Sequence, residues 1–360
     1  MRISGLYLKN FRNYKEEKAA FLPGLNVICG KNAMGKTNML EAVYLSAVAR
    51  SPRTFKDKEL IMEGAEYSAI VCQVEKKYRS HKIEIHIDQR GKKRVIIDSI
   101  PVNRAGELLG ILNVVYFSPD ELKLIKEAPE NRRKFLDISL SQQQKSYFNA
   151  LSSYTKALKQ KNNLLKTGCH GKDADGMLDV WDETLATHGA TLVKKRFDFL
   201  SSLAPMAKEI HASISKGSEE MTLTYEADYE TTKEGILNAL LRSREKDKKL
   251  QYTSAGPHRD DIKIEINGKD VRKFASQGQQ RTAALSLKLA EMKMFRQETG
   301  EVPVLLLDDV LSELDETRKE ILINMAQSCQ TLLTCTEYIG ERSRLFTIEN
   351  GKIIDIKDSY

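Results

Sequence analysis

The apolar positions along this chain change period several times, and the changes mark its organisation. Ile3, Leu6, Leu8 and Phe11 suggest a first strand, and Leu25-Asn26-Val27-Ile28-Cys29 reads as a short buried one. Between 38 and 48 the spacing becomes helical, with Met39, Leu40, Val43, Tyr44 and Ala47 on one side. Alternation returns in Ile83-Glu84-Ile85-His86-Ile87, and Gln89-Arg90-Gly91-Lys92 turns it into Arg94-Val95-Ile96-Ile97. A helix followed by a β-meander places the strand at 25–29 in a mixed sheet.

From about 118 to 250 the pattern is helical. Ser118-Pro119-Asp120-Glu121 reads as a helix start: a serine cap, proline in the first turn, and a glutamate three residues on. Phe135, Leu136, Ile138, Leu140, Phe148, Leu151, Tyr154, Leu158 and Leu165 recur at helical spacing. Residues 167–173 break that pattern and read as an exposed loop. A second long helix runs through Trp181, Leu185, Leu192 and Phe199 to about His211, so the pair predicts an antiparallel arm.

After 250 strands return. Ile262-Lys263-Ile264-Glu265-Ile266 before Asn267-Gly268 predicts a hairpin, and a helix is expected from about Ser276 to Arg296. Val304-Leu305-Leu306-Leu307 has the near-continuous apolar character of a parallel strand covered on both faces. A helix at 315–328 and a strand at Thr331-Leu332-Leu333-Thr334 continue the α/β rhythm.

The chemistry sits at two of these strand ends. Gly30-Lys31-Asn32-Ala33-Met34-Gly35-Lys36-Thr37 reads G-x-x-x-x-G-K-T between a strand and a helix, the context a phosphate-binding loop requires. Backbone N–H groups converge on phosphate oxygens, the helix N-terminus adds partial positive charge, and the glycines admit close approach. Lys36 can reach the β/γ-phosphates and Thr37 can offer its hydroxyl to Mg²⁺. Leu305-Leu306-Leu307-Asp308-Asp309 has the Walker B form: Asp308 would hold Mg²⁺, and Asp309 would orient or deprotonate the attacking water. Lys36, Asp308 and Asp309 are the catalytic candidates, and Thr37 and Asp308 the metal candidates, with ATP as the expected nucleotide.

These halves lie near opposite ends of a chain of 360 residues, too long for one compact domain, so an insertion splits the core. The expected division is 1–117 for the first part of the ATPase lobe, 118–250 for a helical lobe, and 251–360 for the second part. Ser276-Gln277-Gly278-Gln279-Gln280-Arg281 opens a helix just upstream of Walker B. A small hydroxyl, a glycine and a bare helix N-terminus make a second anion-binding device. One chain already carries a phosphate loop, so a second device makes sense if it closes over the ATP of another copy.

Composition adds less. A net charge of +7 and a pI near 8.9 fit a nucleic-acid partner, and equally an ordinary solvated surface. Basic clusters at Arg50, Arg53, Lys56 and Lys58; Lys156, Lys159 and Lys161; Lys194, Lys195 and Arg196; and Arg242, Arg244, Lys246, Lys248 and Lys249 offer phosphate contacts, none with a base-reading motif. Five scattered cysteines without a C-x-x-C fit reduced thiols in the cytosol. Neither a signal peptide nor a membrane span is visible, so a cytoplasmic protein is expected.

Together these motifs resemble the ABC-type ATPase heads of the SMC group, and within it the RecF family. The resemblance covers the whole chain. Its further pieces are Phe11-Arg12-Asn13-Tyr14, Pro119-Asp120-Glu121, the run Pro129-Glu130-Asn131-Arg132-Arg133-Lys134-Phe135-Leu136-Asp137, the turn Gly256-Pro257-His258-Arg259-Asp260-Asp261, and the extension of Walker B through Ser312-Glu313-Leu314-Asp315. One departure is Glu127, where the family usually has glycine. The resemblance implies a compact head that binds ATP and Mg²⁺, forms an ATP-dependent homodimer, hydrolyses slowly and binds DNA at duplex regions beside single strands. It also implies work with RecR and RecO and, through them, RecA. Ser276 and Gly278 would touch the γ-phosphate in the opposite subunit, and Arg12 and Asn13 would contact phosphate. Thr334 would be a γ-phosphate sensor or a structural residue. His258 and Arg259 of the G-P-H-R-D-D turn either belong to a buried turn salt-linked through Asp260 and Asp261 or contact ATP or DNA directly. An ABC transporter ATPase subunit, or a self-contained P-loop kinase or GTPase, are the competing readings.

Overall fold

Leu25–Cys29, Val304–Asp308 and Thr331–Cys335 are buried at every position, as parallel strands covered on both faces must be. In the computed structural model, which describes residues 1–167, 172–338 and 342–359, they form the centre of one of two units. The first unit comprises Met1–Leu122 and Leu287–Tyr360, the second Lys123–Ser286.

In the first unit the central sheet runs in the order Lys352–Ser359, Ser343–Glu349, Leu25–Cys29, Thr331–Cys335, Val304–Asp308, Val114–Phe117. All neighbours are parallel except the outer pair, Ser343–Glu349 with Lys352–Ser359. The sheet is therefore mixed, but the meander is not what makes it so. Tyr67–Glu75, Ser80–Asp88, Lys93–Ile97 and Ile100–Val102 join Arg2–Phe11 and Tyr14–Ala20 in a separate antiparallel sheet.

The helix Lys36–Val48 contacts strands of both sheets. That is why every position from Met39 to Ala47 is buried, not one face alone. Register sets the chemistry: Cys335 lies opposite Cys29, and Thr334 lies opposite both Ile28 and Asp308. The carboxyl ends of the three central strands thus open at one edge, where α/β sheets place their ligands.

The second unit holds the helices Pro129–Gln143, Lys145–Lys166, Lys172–Ile214 and Lys233–Leu250. The predicted long pair is present, with Lys145–Lys166 packed on Lys172–Ile214. Most of the predicted loop at 167–173, namely 168–171, lies outside the described residues. A three-stranded antiparallel sheet, Lys269–Asp270, Asp261–Ile266 and Met221–Glu226, completes the unit. This pairing moves the expected boundary. Residues 251–286, assigned from sequence to the ATPase lobe, belong here because their strand pairs with Met221–Glu226.

The G-P-H-R-D-D turn is tied within this unit. Arg132, buried in the helix Pro129–Gln143, grips Asp261 with Nε at 2.6 Å and Nη2 at 3.0 Å. Asp260 accepts the hydroxyls of Tyr225 and Tyr229, and its carbonyl accepts Arg133 at 2.7 Å. Arg196 donates to Pro257 O at 2.7 Å. His258 meets the Tyr154 hydroxyl through Nδ1 at 2.7 Å and Thr253 O through Nε2 at 3.0 Å. Desolvation lowers the pKa of His258 to about 4, against its hydrogen bond to Thr253, so the imidazole is neutral near pH 7. Glu127 is not in the left-handed region and its carbonyl accepts Arg132, so the local turn forms without the family's glycine.

Candidate nucleotide site

The phosphate loop leaves the strand Leu25–Cys29 at Gly30 and enters the helix at Lys36. Gly30 passes so close to the chain that a Cβ there would stand 2.4 Å from Ile348 O. Gly35 takes φ 114°, and a Cβ would lie 2.7 Å from the Asn13 side chain. Only glycine suits both places. Lys31, Asn32 and Ala33 form an exposed tip, and Ala33 sits at φ 66°. Lys36 is 7% exposed; its ammonium donates to Gly30 O at 2.5 Å and Lys31 O at 3.2 Å, so the loop curls around it.

Asn13 braces this loop from the first strand's turn. Its Nδ2 donates to Met34 O at 2.9 Å, and its Oδ1 accepts Asn38 Nδ2 at 2.9 Å. Arg12 does not reach the loop in this way. Its Nε and Nη2 form a fork on Glu41, at 2.9 and 2.8 Å, and Nη1 donates to Glu59 O at 2.8 Å. Glu41 is wholly buried, and a buried carboxylate needs such a partner. Arg12 is thus committed to the fold, and Asn13 to the loop.

The acidic half converges on one carboxylate. Asp308 Oδ1 accepts the hydroxyls of Thr37 at 2.9 Å and Thr334 at 2.7 Å, and Oδ2 accepts Tyr116 at 2.8 Å. Burial, reinforced by Asp308, pushes the Tyr116 phenol well above its usual range, so it acts as a donor. Asp309 follows in the left-handed region at φ 52°, and its N–H donates to Thr334 Oγ1 at 2.9 Å. A non-glycine residue held there is a local strain of the kind found at functional sites. Lys36, Thr37 and Asp308 are brought together as the sequence predicts. Thr334 grips both acids. Tyr116 was not foreseen: its role comes from strand register, since Tyr116 lies opposite Leu306, far away in sequence.

The donor set Thr37 hydroxyl and Asp308 carboxylate is hard oxygen, which suits Mg²⁺. Among the described residues no group of three or more His, Cys, Asp and Glu could hold a metal by itself. A magnesium site that draws its remaining ligands from phosphates and water needs none.

Ser276 and Gly278 belong to the second unit, at the start of the helix Gln277–Thr299. Ser276 and Gln277 are exposed. The basic clusters divide into paired and exposed members. Lys161 is fully buried against Asp182 and Asp247, Arg196 against Asp137, and Arg244 pairs with Asp179 and Asp182. Lys156, Lys159, Lys194, Arg242, Lys246 and Lys249 remain exposed. No helix among the described residues is long and apolar enough to cross a membrane.

The model of the RecF/RecN/SMC N terminal domain matches residues 2–338. The DNA replication and repair protein RecF of Lachnoclostridium phytofermentans is 43% identical over 98% of this chain and 99% of its own. That of Clostridium tetani is 42% identical over 99% of this chain and its full length. Among solved structures, a RecF–ATP complex of the RecFOR pathway superposes with a TM-score of 0.90 at 38% identity, covering 99% of each chain. An Smc head bound to the C-winged helix domain of ScpA, at 17% identity and TM-score 0.59 over 99% of this chain and 97% of its own, shares the fold.

Proposed function

The chain belongs to the RecF family of DNA replication and repair proteins, and from that premise we propose that it is an ATP-dependent DNA-binding protein whose two copies close around bound ATP. A near-full-length match to this family does not favour a transporter subunit. The observation that carries the reading is the convergence of Thr37, Thr334 and Tyr116 on Asp308 beside the curled loop.

Each residue has a task. The loop N–H groups and the helix start hold the triphosphate. Lys36 exchanges its carbonyl partners for β/γ-phosphate oxygens. Thr37 and Asp308 hold Mg²⁺, which when bound neutralises charge on the phosphates. Asp309 orients the attacking water and takes its proton. Ser276 and Gly278 complete the pocket of the opposite copy, so ATP joins two chains. DNA is held through phosphate contacts of exposed lysines and arginines, and RecO and RecR counterparts are the expected partners. Hydrolysis is slow and opens the dimer.

The test is the ATPase rate per subunit as protein concentration is raised, with and without gapped DNA. The proposal requires a rate that climbs with concentration, and DNA affinity that falls with salt. A rate independent of concentration from a chain that stays monomeric with ATP contradicts it.

A further inference from the structure

The tip of the helix Gln277–Thr299 is fastened by more than its own cap. Ser276 Oγ accepts the N–H of Gln279 at 3.2 Å, and Gln279 Oε1 accepts the N–H of Ser276 at 2.9 Å. This is a reciprocal capping box. The other end of the Gln279 amide is also used: Nε2 donates to Glu219 Oε1 at 2.9 Å. Glu219 Oε2 in turn lies 2.9 Å from Nε2 of His211, which is fully buried in the last turn of the helix Lys172–Ile214. A continuous line therefore runs from a buried imidazole through a carboxylate and an amide to the exposed Ser276.

We propose that Glu219 is a positioning residue for the serine-glycine tip. It fixes the Gln279 amide, and so the direction in which Ser276 and the N–H of Gly278 meet the ATP of the second copy. The inference rests on the trans role of that tip proposed above. Donors fixed before the partner arrives cost no ordering on contact.

The turn that carries Glu219 has ties besides its side chain. Gly217 N–H donates to Ala212 O at 2.8 Å, Glu220 N–H donates to Asn267 Oδ1 at 2.8 Å, and Glu220 pairs with Lys208. Glu219 thus links buried His211 on one side to the tip on the other, while its turn has these further ties.

Two variants of the full chain test this. Glu219→Ala removes both bonds. Glu219→Gln keeps an acceptor for Gln279 and, with the imidazole in its other tautomer, offers a donor to His211. In Glu219→Ala, ATP binding by the single subunit, read with a fluorescent analogue, should hold. The ATP-dependent dimer should weaken about five- to tenfold, the scale of one lost cap interaction, with kcat falling in step. Glu219→Gln should recover most of both. Unchanged dimerisation and turnover in Glu219→Ala, equal damage in Glu219→Gln, or an equal loss of ATP binding would each overturn the proposal. Should Glu219→Ala lose its fold, Gln279→Glu sets a carboxylate against Glu219 and must show the same dimer defect; parent behaviour there overturns it. Ser276→Arg serves as the control. If that variant still dimerises on ATP, the trans role of the tip has failed, and that result stands apart from anything Glu219 does.

Discussion

Thr334 Oγ1 donates to Asp308 Oδ1 at 2.7 Å across neighbouring parallel strands and accepts the N–H of Asp309 at 2.9 Å. One buried hydroxyl thus ties the Asp308 carboxylate to the backbone of Asp309. Thr334→Val keeps the shape and removes both bonds. Asp308 keeps Thr37 and Tyr116, but the Asp309 N–H loses its bond, and an unmet donor costs about 1–3 kcal/mol. We expect kcat to fall at least about tenfold while ATP affinity changes little, a split that marks a loss confined to the transition state. Thr334→Ser should restore activity. An equal loss of ATP affinity in the valine variant contradicts the assignment.

Tyr116→Phe deletes the donor on Asp308 Oδ2, 2.8 Å away. Groups that orient metal ligands are worth about ten- to a hundredfold in metal affinity or activity. The Mg²⁺ concentration for half-maximal ATPase should therefore rise. An unchanged Mg²⁺ titration would show that Thr37 and Thr334 suffice to orient Asp308.

Why Lys36 was readable from sequence and Tyr116 was not follows from where their partners lie. The loop 30–37 is contiguous, and its glycines and lysine announce themselves. Tyr116 and Thr334 reach Asp308 only because three strands distant in sequence stack in one register. The same reason hid the strand Met221–Glu226, whose partner Asp261–Ile266 follows a whole helix later. Arg12 and Asn13 are neighbours in sequence, yet Asn13 touches the loop while buried Glu41 takes the Arg12 guanidinium, a pairing that no local pattern announces. The meander was seen, but alternation says nothing about which sheet receives it.

Arg132 holds Asp261 with two bonds and is 1% exposed. Arg132→Ala leaves a carboxylate poorly compensated, a change that costs about 3–5 kcal/mol when one partner of a buried pair is removed. Denaturant unfolding of the full chain should show a marked fall in midpoint. A loss below about 1 kcal/mol would place this pair among exposed, screened ones.

His258 titrates in the folded chain near pH 4, below its unfolded value near 6.5. The unfolded chain binds the proton first, so the contribution of this residue is fully present above pH 6.5 and declines as pH falls toward 4. The decline is about 3 kcal/mol at most, on the order of 1.4 kcal/mol per pH unit. Unfolding free energy measured across this window should fall more steeply in the parent than in His258→Gln. Identical slopes would mean that the imidazole is hydrated in the folded chain.

The most direct test of ATP as the joint between two copies is light scattering of Asp309→Asn under saturating ATP and Mg²⁺, with and without gapped DNA. If Asp309 serves hydrolysis, the variant accumulates as a nucleotide-bound dimer, while Lys36→Ala remains monomeric. A monomeric Asp309→Asn at saturating ATP would contradict the account.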